Sequence, residues 1–269
     1  MFCGYETCPA EVKQQIQNVA GGLSALLGTN LLGLYLHGSL VLGAFDVNSS
    51  DIDMIGVVEH STSLAERVAV GSLLLSIDHK PCPIEVKLII KEGLIPWHFP
   101  PPCHFFYSEY WTWLYQRFAS GEDLSHILLS GHPDEYDRDL AAEIKLINQC
   151  GVCVYGLPAP ELFPDVPEAD YWDAISDGID DFYVESDNPS QSSFLILTLC
   201  RTFMYRQTGV ILSKHVAASR ALEILPDKYH PIISNALYNK YGLGRKAAYT
   251  AEDALSFKSY IIERIEVQP

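Results

Sequence analysis

The sequence lacks any run of about 18 apolar residues, the length that spans a bilayer as a helix, so no membrane-spanning role is expected. Its opening residues, from Met1 to Ala10, lack a basic stretch leading into an apolar one, which sets the expectation of a cytoplasmic protein. Positive charge is also scarce. Eighteen Lys and Arg stand against 34 Asp and Glu in 269 residues, a formal net charge of −16. Such a surface repels a phosphate backbone, which argues against DNA or RNA as a partner and favours cationic small molecules or proteins. Internal repeats and low-complexity tracts are absent. The seven cysteines (Cys3, Cys8, Cys82, Cys103, Cys150, Cys153 and Cys200) are odd in number and irregularly spaced. Cys150-x-x-Cys153 has neither a second CxxC nor a nearby His pair to complete four zinc ligands, so reduced, buried structural thiols are expected.

What is present suits a folded protein with a sizeable core: 48% of residues are apolar and 19% charged. A chain of this length accommodates two modest domains. Glu11 to Leu27 carries apolar residues at helical spacing and ends at Gly28, and Ser63 to Ile77 reads as a second helix capped by Ser63. Leu31–Leu36, Asp51–Val58 and Pro83–Ile90 are short apolar runs that read as strands, so the first half is α/β. From about Asp134 the pattern becomes helical, with segments at Asp137–Gln149, Glu168–Tyr183, Ser190–Gln207, Lys214–Leu225, Pro231–Lys240 and Glu252–Ile265. The proline-rich stretch from Gly156 to Pro167 continues neither pattern, which sets expected domains at 1–155 and 156–269.

The informative stretch runs from Leu36 to Val58. A strand ends in Gly38-Ser39, a turn-prone loop follows, and a second strand opens with Asp51-Ile52-Asp53. Strand alternation points Asp51 and Asp53 to one face, with Cα atoms roughly 6.5 Å apart, and turns Ile52 and Met54 to the core. Two carboxylates that close repel each other unless a cation joins them, and a hard divalent ion such as Mg²⁺ suits oxygen ligands. Gly38-Ser39 offers backbone N–H groups and a hydroxyl to phosphate oxygens. In Pro83–Leu88, Ile84, Val86 and Leu88 share one face while Glu85 and Lys87 share the other, so a neighbouring strand can aim Glu85 at the Asp pair. Taken singly, each of these acids fits a solvated surface; their combination with Gly38-Ser39 points to a site.

Gly-Ser, 11 intervening residues, Asp-Ile-Asp and a later acid on another strand resemble the nucleotidyltransferase superfamily related to DNA polymerase β. Within it the chain is similar to the aminoglycoside (3″)(9) adenylyltransferases, which modify streptomycin and spectinomycin. Gly156–Pro167 with Glu168, the run Leu195–Arg201, Thr208-Gly209, Lys214–Ala218 and Leu225-Pro226 resemble that family's C-terminal helical domain. The resemblance implies a polymerase β-like α/β domain of mixed sheet and helices followed by a helical bundle. It implies that Asp51 and Asp53 hold Mg²⁺ on ATP, that Gly38 and Ser39 meet the terminal phosphates, and that Glu85 is the general base. Arg201 and Lys214 match positions that reach the ATP phosphates.

The departures concern the acceptor. The family carries a Gly-Asp-Glu-Arg-Asn-like stretch facing the drug, and here those positions read Ser190-Gln-Ser-Ser-Phe194. Tyr110 stands where the family has a tryptophan, Phe182 takes the place of a second aromatic, and Asp187 keeps one acidic position, with Gln191 in place of an acid. The first functional expectation is Mg²⁺-dependent AMP transfer from ATP to a hydroxyl of a cationic antibiotic. A second keeps the transfer and changes the acceptor to another small molecule or a protein hydroxyl. A third is a non-catalytic nucleotide-binding protein.

Overall fold

The computed structural model describes residues 2–123, 136–177, 179 and 189–266. It divides into two compact units, 1–175 and 176–269. The first is α/β and the second helical, as the sequence suggested.

In the first unit, α1 (Ala10–Leu27) ends at Gly28 and leads into β1 (Leu31–Leu36). A single helical turn, α2 (Gly38–Val41), separates β1 from β2 (Ile52–Val58). Helix α3 (Leu64–Ile77) begins with a reciprocal cap between Ser63 and Glu66, and β3 (Ile84–Ile90) follows. The sequence reading missed β4 (Phe105–Tyr107), α4 (Thr112–Ala119) and β5 (Val152–Gly156), while α5 (Asp139–Cys150) matches an expected helix. The strands form one mixed sheet in the order β4-β3-β2-β1-β5, in which β2 and β3 are parallel and the other pairs antiparallel.

Alternation along the strands sorts the two faces. Leu34 and Leu36 of β1, Ile52, Met54 and Val58 of β2, and Ile84, Val86 and Leu88 of β3 join one apolar core with Val12, Ile16, Val19 and Leu23 of α1 and Val70 and Leu74 of α3. The opposite face carries Tyr35, Asp53, Glu85 and Lys87, and there Glu143 of α5 reaches Lys87. The start of β3 is pinned from several sides. Buried Gln15 bonds the backbone of Cys82 through both ends of its amide, at 2.7 and 3.1 Å. Asp78 accepts hydrogen bonds from the Ile84 N–H and the Tyr107 hydroxyl, each at 3.0 Å. The loop between Ser39 and Asp51 is tied down by Phe45, fully buried and exchanging two backbone hydrogen bonds with Cys3.

The division into units falls after the proline-rich stretch rather than within it. Gly156 still pairs with Gly33, the Leu157 carbonyl accepts a 2.5 Å hydrogen bond from the Tyr35 hydroxyl, and Phe163 packs edge-on against Tyr35. Prolines there shape a packed segment of the first unit, which continues into α6 (Glu168–Ser176). The part of the expected helix running on to Tyr183 lies outside the described residues except for 177 and 179. The second unit contains α7 (Pro189–Thr208), α8 (Lys214–Ile224), α9 (His230–Tyr241) and α10 (Ala251–Glu266). Helix α7 packs against the other three and buries Leu195, Ile196, Leu199, Cys200 and Phe203. All seven cysteines are free thiols. Cys8, Cys82, Cys103 and Cys200 are buried as expected, whereas Cys3 and Cys150 are half-buried and Cys153 is exposed on the edge strand β5.

One half-buried histidine gives a test. His104 Nε2 accepts the Thr62 N–H at 2.9 Å, and burial, then the Arg67 guanidinium, lowers its pKa to about 4. The unfolded chain therefore takes up this proton first, and the stabilising contribution is complete above about 6.5 and declines as pH falls towards 4. Thermal melts at pH 7 and pH 5 should show the wild type losing more stability across the interval than His104→Gln; equal losses would remove His104 as the cause.

Candidate active site

Parallel pairing places Asp53 of β2 directly beside Glu85 of β3. In a strand ladder, register partners project to the same face, so two acids that are far apart in sequence become neighbours. Asp51, immediately before β2, completes the group: oxygens of Asp51, Asp53 and Glu85 all lie within 4.8 Å of one another. Gly38 opens α2 at φ 67°, and a Cβ there would collide with the Asp53 carboxylate. Only glycine permits both this backbone conformation and this approach. The strand ends at Leu36, so Gly38 and Ser39 begin the helical turn rather than ending a strand as expected. Ser39 Oγ is buried with no hydrogen-bond partner, an unmet polar group next to the acids.

The electrostatics are strongly one-sided. Burial, then Asp51 and Glu85, holds the Asp53 carboxyl well above the usual carboxylate range. Burial, then Glu143, pushes Glu85 up to about 8, with Lys87 pulling the other way. His37, buried just before Gly38, is lowered to about 3 by burial and then by Lys87, and so stays neutral. The residues fit a hard divalent cation, because the donors are all carboxylate oxygens and each anion raises the cost of its neighbour.

Sequence reasoning missed the support behind this group. Lys87 is 3% exposed and its ammonium makes ion pairs with Glu143 at 2.7 Å, Asp137 at 2.8 Å and Glu85 at 3.9 Å. Burial alone would lower its pKa, but Glu143, Asp137 and Glu85 raise it well above the ordinary lysine value. The signal was present in α5, where Glu143 sits among buried Leu140, Ile144 and Ile147 at helical spacing. An acid on an apolar face requires a partner.

The other expected site residues fall into separate groups. Tyr110 is 84% exposed beside Trp111, in a row that continues to Trp113. In the helical unit, Arg201 lies on α7 and acts electrostatically on Tyr241, whose ring meets His215 edge-on. Lys214 is the first residue of α8, with its ammonium 3.4 Å above the Phe194 ring. A cation in a first turn that holds no acid opposes the helix dipole and adds to an end already suited to anions. Phe182 and Asp187 lie outside the described residues, as does the side chain of Gln191, whose backbone belongs to the first turn of α7.

The aminoglycoside adenylyltransferase C-terminal domain family matches residues 161–264. A spectinomycin 9-adenylyltransferase of Staphylococcus aureus is 30% identical over 217 residues, 78% of each chain. The chain belongs to the aminoglycoside adenylyltransferase family. An aminoglycoside (3″)(9) adenylyltransferase of Shigella flexneri is 29% identical over 264 residues, 95% of each chain. A spectinomycin adenyltransferase of Enterococcus faecalis, solved with ATP and spectinomycin, matches with a TM-score of 0.77 at 26% identity, covering 94% of this chain and 99% of that one.

Two variants probe the charge balance. Asp53→Asn removes a repelled carboxylate and should raise stability in chelator by roughly 0.5–2 kcal/mol, as loss of a strained functional group often does. Lys87→Met strands Glu143 and Asp137 without their cation and should cost about 3–5 kcal/mol. Urea titration reads both, and opposite signs are expected.

Proposed function

We propose that the chain is a cytoplasmic, Mg²⁺-dependent adenylyltransferase that moves AMP from ATP to a hydroxyl of an aminocyclitol or aminoglycoside antibiotic, with release of pyrophosphate. The observation that carries this reading is the convergence of Asp51, Asp53 and Glu85 within 4.8 Å beside the Gly38 turn. In this reading Asp51 and Asp53 hold Mg²⁺, which supplies charge neutralisation and alignment of the nucleotide phosphates. The Gly38 turn and Ser39 Oγ meet phosphate oxygens, and Arg201 and Lys214 contribute the positive charge that an acidic chain otherwise lacks. A Glu85 oxygen takes the proton of the acceptor hydroxyl. The hydroxyl oxygen then forms the new bond to the α-phosphorus as the bond to pyrophosphate breaks, and the protein's contribution is mainly orientation and proton removal. No helix among the described residues is long and apolar enough to cross a membrane.

The altered stretch Ser190–Phe194 bears on the acceptor. An acid opposite a drug ammonium or guanidinium makes charge-assisted hydrogen bonds, and Gln191 retains hydrogen bonding without the charge. The family resemblance makes streptomycin the larger loser, because its recognition in the family leans on an aromatic and an acid of the helical domain, at whose positions Phe182 and Asp187 stand. Spectinomycin is smaller and needs fewer contacts. The same alteration favours, as a second reading, adenylyl transfer to a different hydroxylated acceptor.

Mass spectrometry for added AMP after incubation with MgATP and an antibiotic panel is the direct test. Asp51→Asn and Asp53→Asn should each nearly abolish transfer in folded protein. Glu85→Gln should lose about 10²- to 10⁴-fold in kcat while calorimetric MgATP affinity holds; joint collapse of both would make Glu85 a metal ligand instead. Steady-state kinetics should give spectinomycin the higher kcat/KM, and streptomycin matching or exceeding it would refute the specificity argument. If MgATP binds and neither drug gains AMP, the second reading takes its place.

A further inference from the structure

Glu85 occupies an unfavourable position for an acid that has to stay in place. Its register partner is Asp53, Asp51 is close, and Glu143 adds further negative charge from α5. A glutamate has three side-chain torsions, and the Glu85 side chain is 25% exposed, so solvent offers it an escape from these anions. What opposes that escape is Lys87, two residues on along the same face, with its ammonium 3.9 Å from Glu85 Oε1. The ammonium is itself immobilised. Two of its three N–H bonds are directed at Glu143 and Asp137, and the ring of Phe106, its register partner on β4, lies 5.1 Å away. A charge anchored in this way can fix the position of a neighbour, whereas an exposed lysine would move with it.

We propose that Lys87, clamped by Asp137, Glu143 and Phe106, is the positioning residue that keeps the Glu85 carboxylate beside Asp53, where it meets the acceptor hydroxyl. This rests on the reading of Glu85 as general base. Lys87 transfers no proton and touches neither nucleotide nor acceptor; it acts through Glu85 alone. The alternative role, simple charge compensation within the fold, makes a different prediction, because a buried ion pair replaced by neutral groups of similar size often keeps or gains stability.

The charge-balanced double variant Lys87→Met/Glu143→Gln separates the two roles. Asp137 is 21% exposed at its side chain and can be hydrated once the ammonium is gone, so the variant should fold where Lys87→Met alone suffers. Three readouts are expected from the full chain. With MgATP and spectinomycin, kcat falls about 10- to 100-fold, as for a misplaced catalytic group. Calorimetric MgATP affinity stays within about twofold. A crystal structure shows the Glu85 carboxylate swung away from Asp53, and Lys87→Arg, which keeps the charge, recovers part of the lost kcat. A double variant with wild-type kcat, an MgATP affinity that falls in step with kcat, or a Glu85 carboxylate still beside Asp53 would each overturn the proposal. Should wild-type protein transfer AMP to no antibiotic, the acceptor reading fails, and the position of Glu85 in the variant crystal still decides the role of Lys87.

Discussion

Repulsion among carboxylates on one face of a parallel strand pair is the constraint to which the rest of the first unit answers. Asp53 and Glu85 are register partners, with Asp51 adjoining, and none of these acids would choose such company in water. The arrangement persists because the other face of the same two strands is apolar. Ile52, Met54, Ile84 and Val86 are almost completely buried against α1 and α3, and the register that buries them also brings the acids together. A slip by one residue would turn the acids into the core, so hydrophobic burial holds the like charges at close range. Gln15 and Asp78, which fix the start of β3, protect that register from the ends.

Charge in this protein is compartmentalised. Under the proposed function, a net charge of −16 suits a cationic acceptor while the nucleotide is an anion, so positive charge has to be local. The acid face has Lys87, committed to Glu143 and Asp137, and the helical unit holds Arg201 and Lys214. Each unit thereby presents its own chemistry on a scaffold whose core is ordinary. The fold carries that chemistry without dictating the acceptor.

Most of the helices and three of the strands were legible because their periods are long and regular. Leu31–Leu36 matched to the residue and the others to within two residues, except the helix expected over Glu168–Tyr183, which ends at Ser176. Phe105–Tyr107 is too short for any period to show, and Thr112–Ala119 is a short helix rich in aromatic residues that have only modest helical preference. Val152–Gly156 is an edge strand with a single partner, and its apolar run reads equally well as the approach to a linker. The proline-rich stretch suggested a domain boundary because proline breaks regular structure; proline does not prevent tight packing, and Leu162, Phe163 and Val166 are buried in the first unit.

At the site, the sequence by itself determined which face each acid would take. Alternation within β2 and β3 is a local property, and it separated Asp51, Asp53, Glu85 and Lys87 from Ile52, Met54, Ile84 and Val86 without reference to any other part of the chain. It also supplied the Gly38-Ser39 turn, because glycine and serine carry their backbone and hydroxyl chemistry wherever they sit. Only the tertiary structure decided that Asp53 and Glu85 are register partners, that Gly38 abuts the Asp53 carboxylate, and that Lys87 is sealed between Glu143 and Asp137. Those are pairings between segments tens of residues apart. No local periodicity encodes them, since they follow from which strands the core can bury side by side.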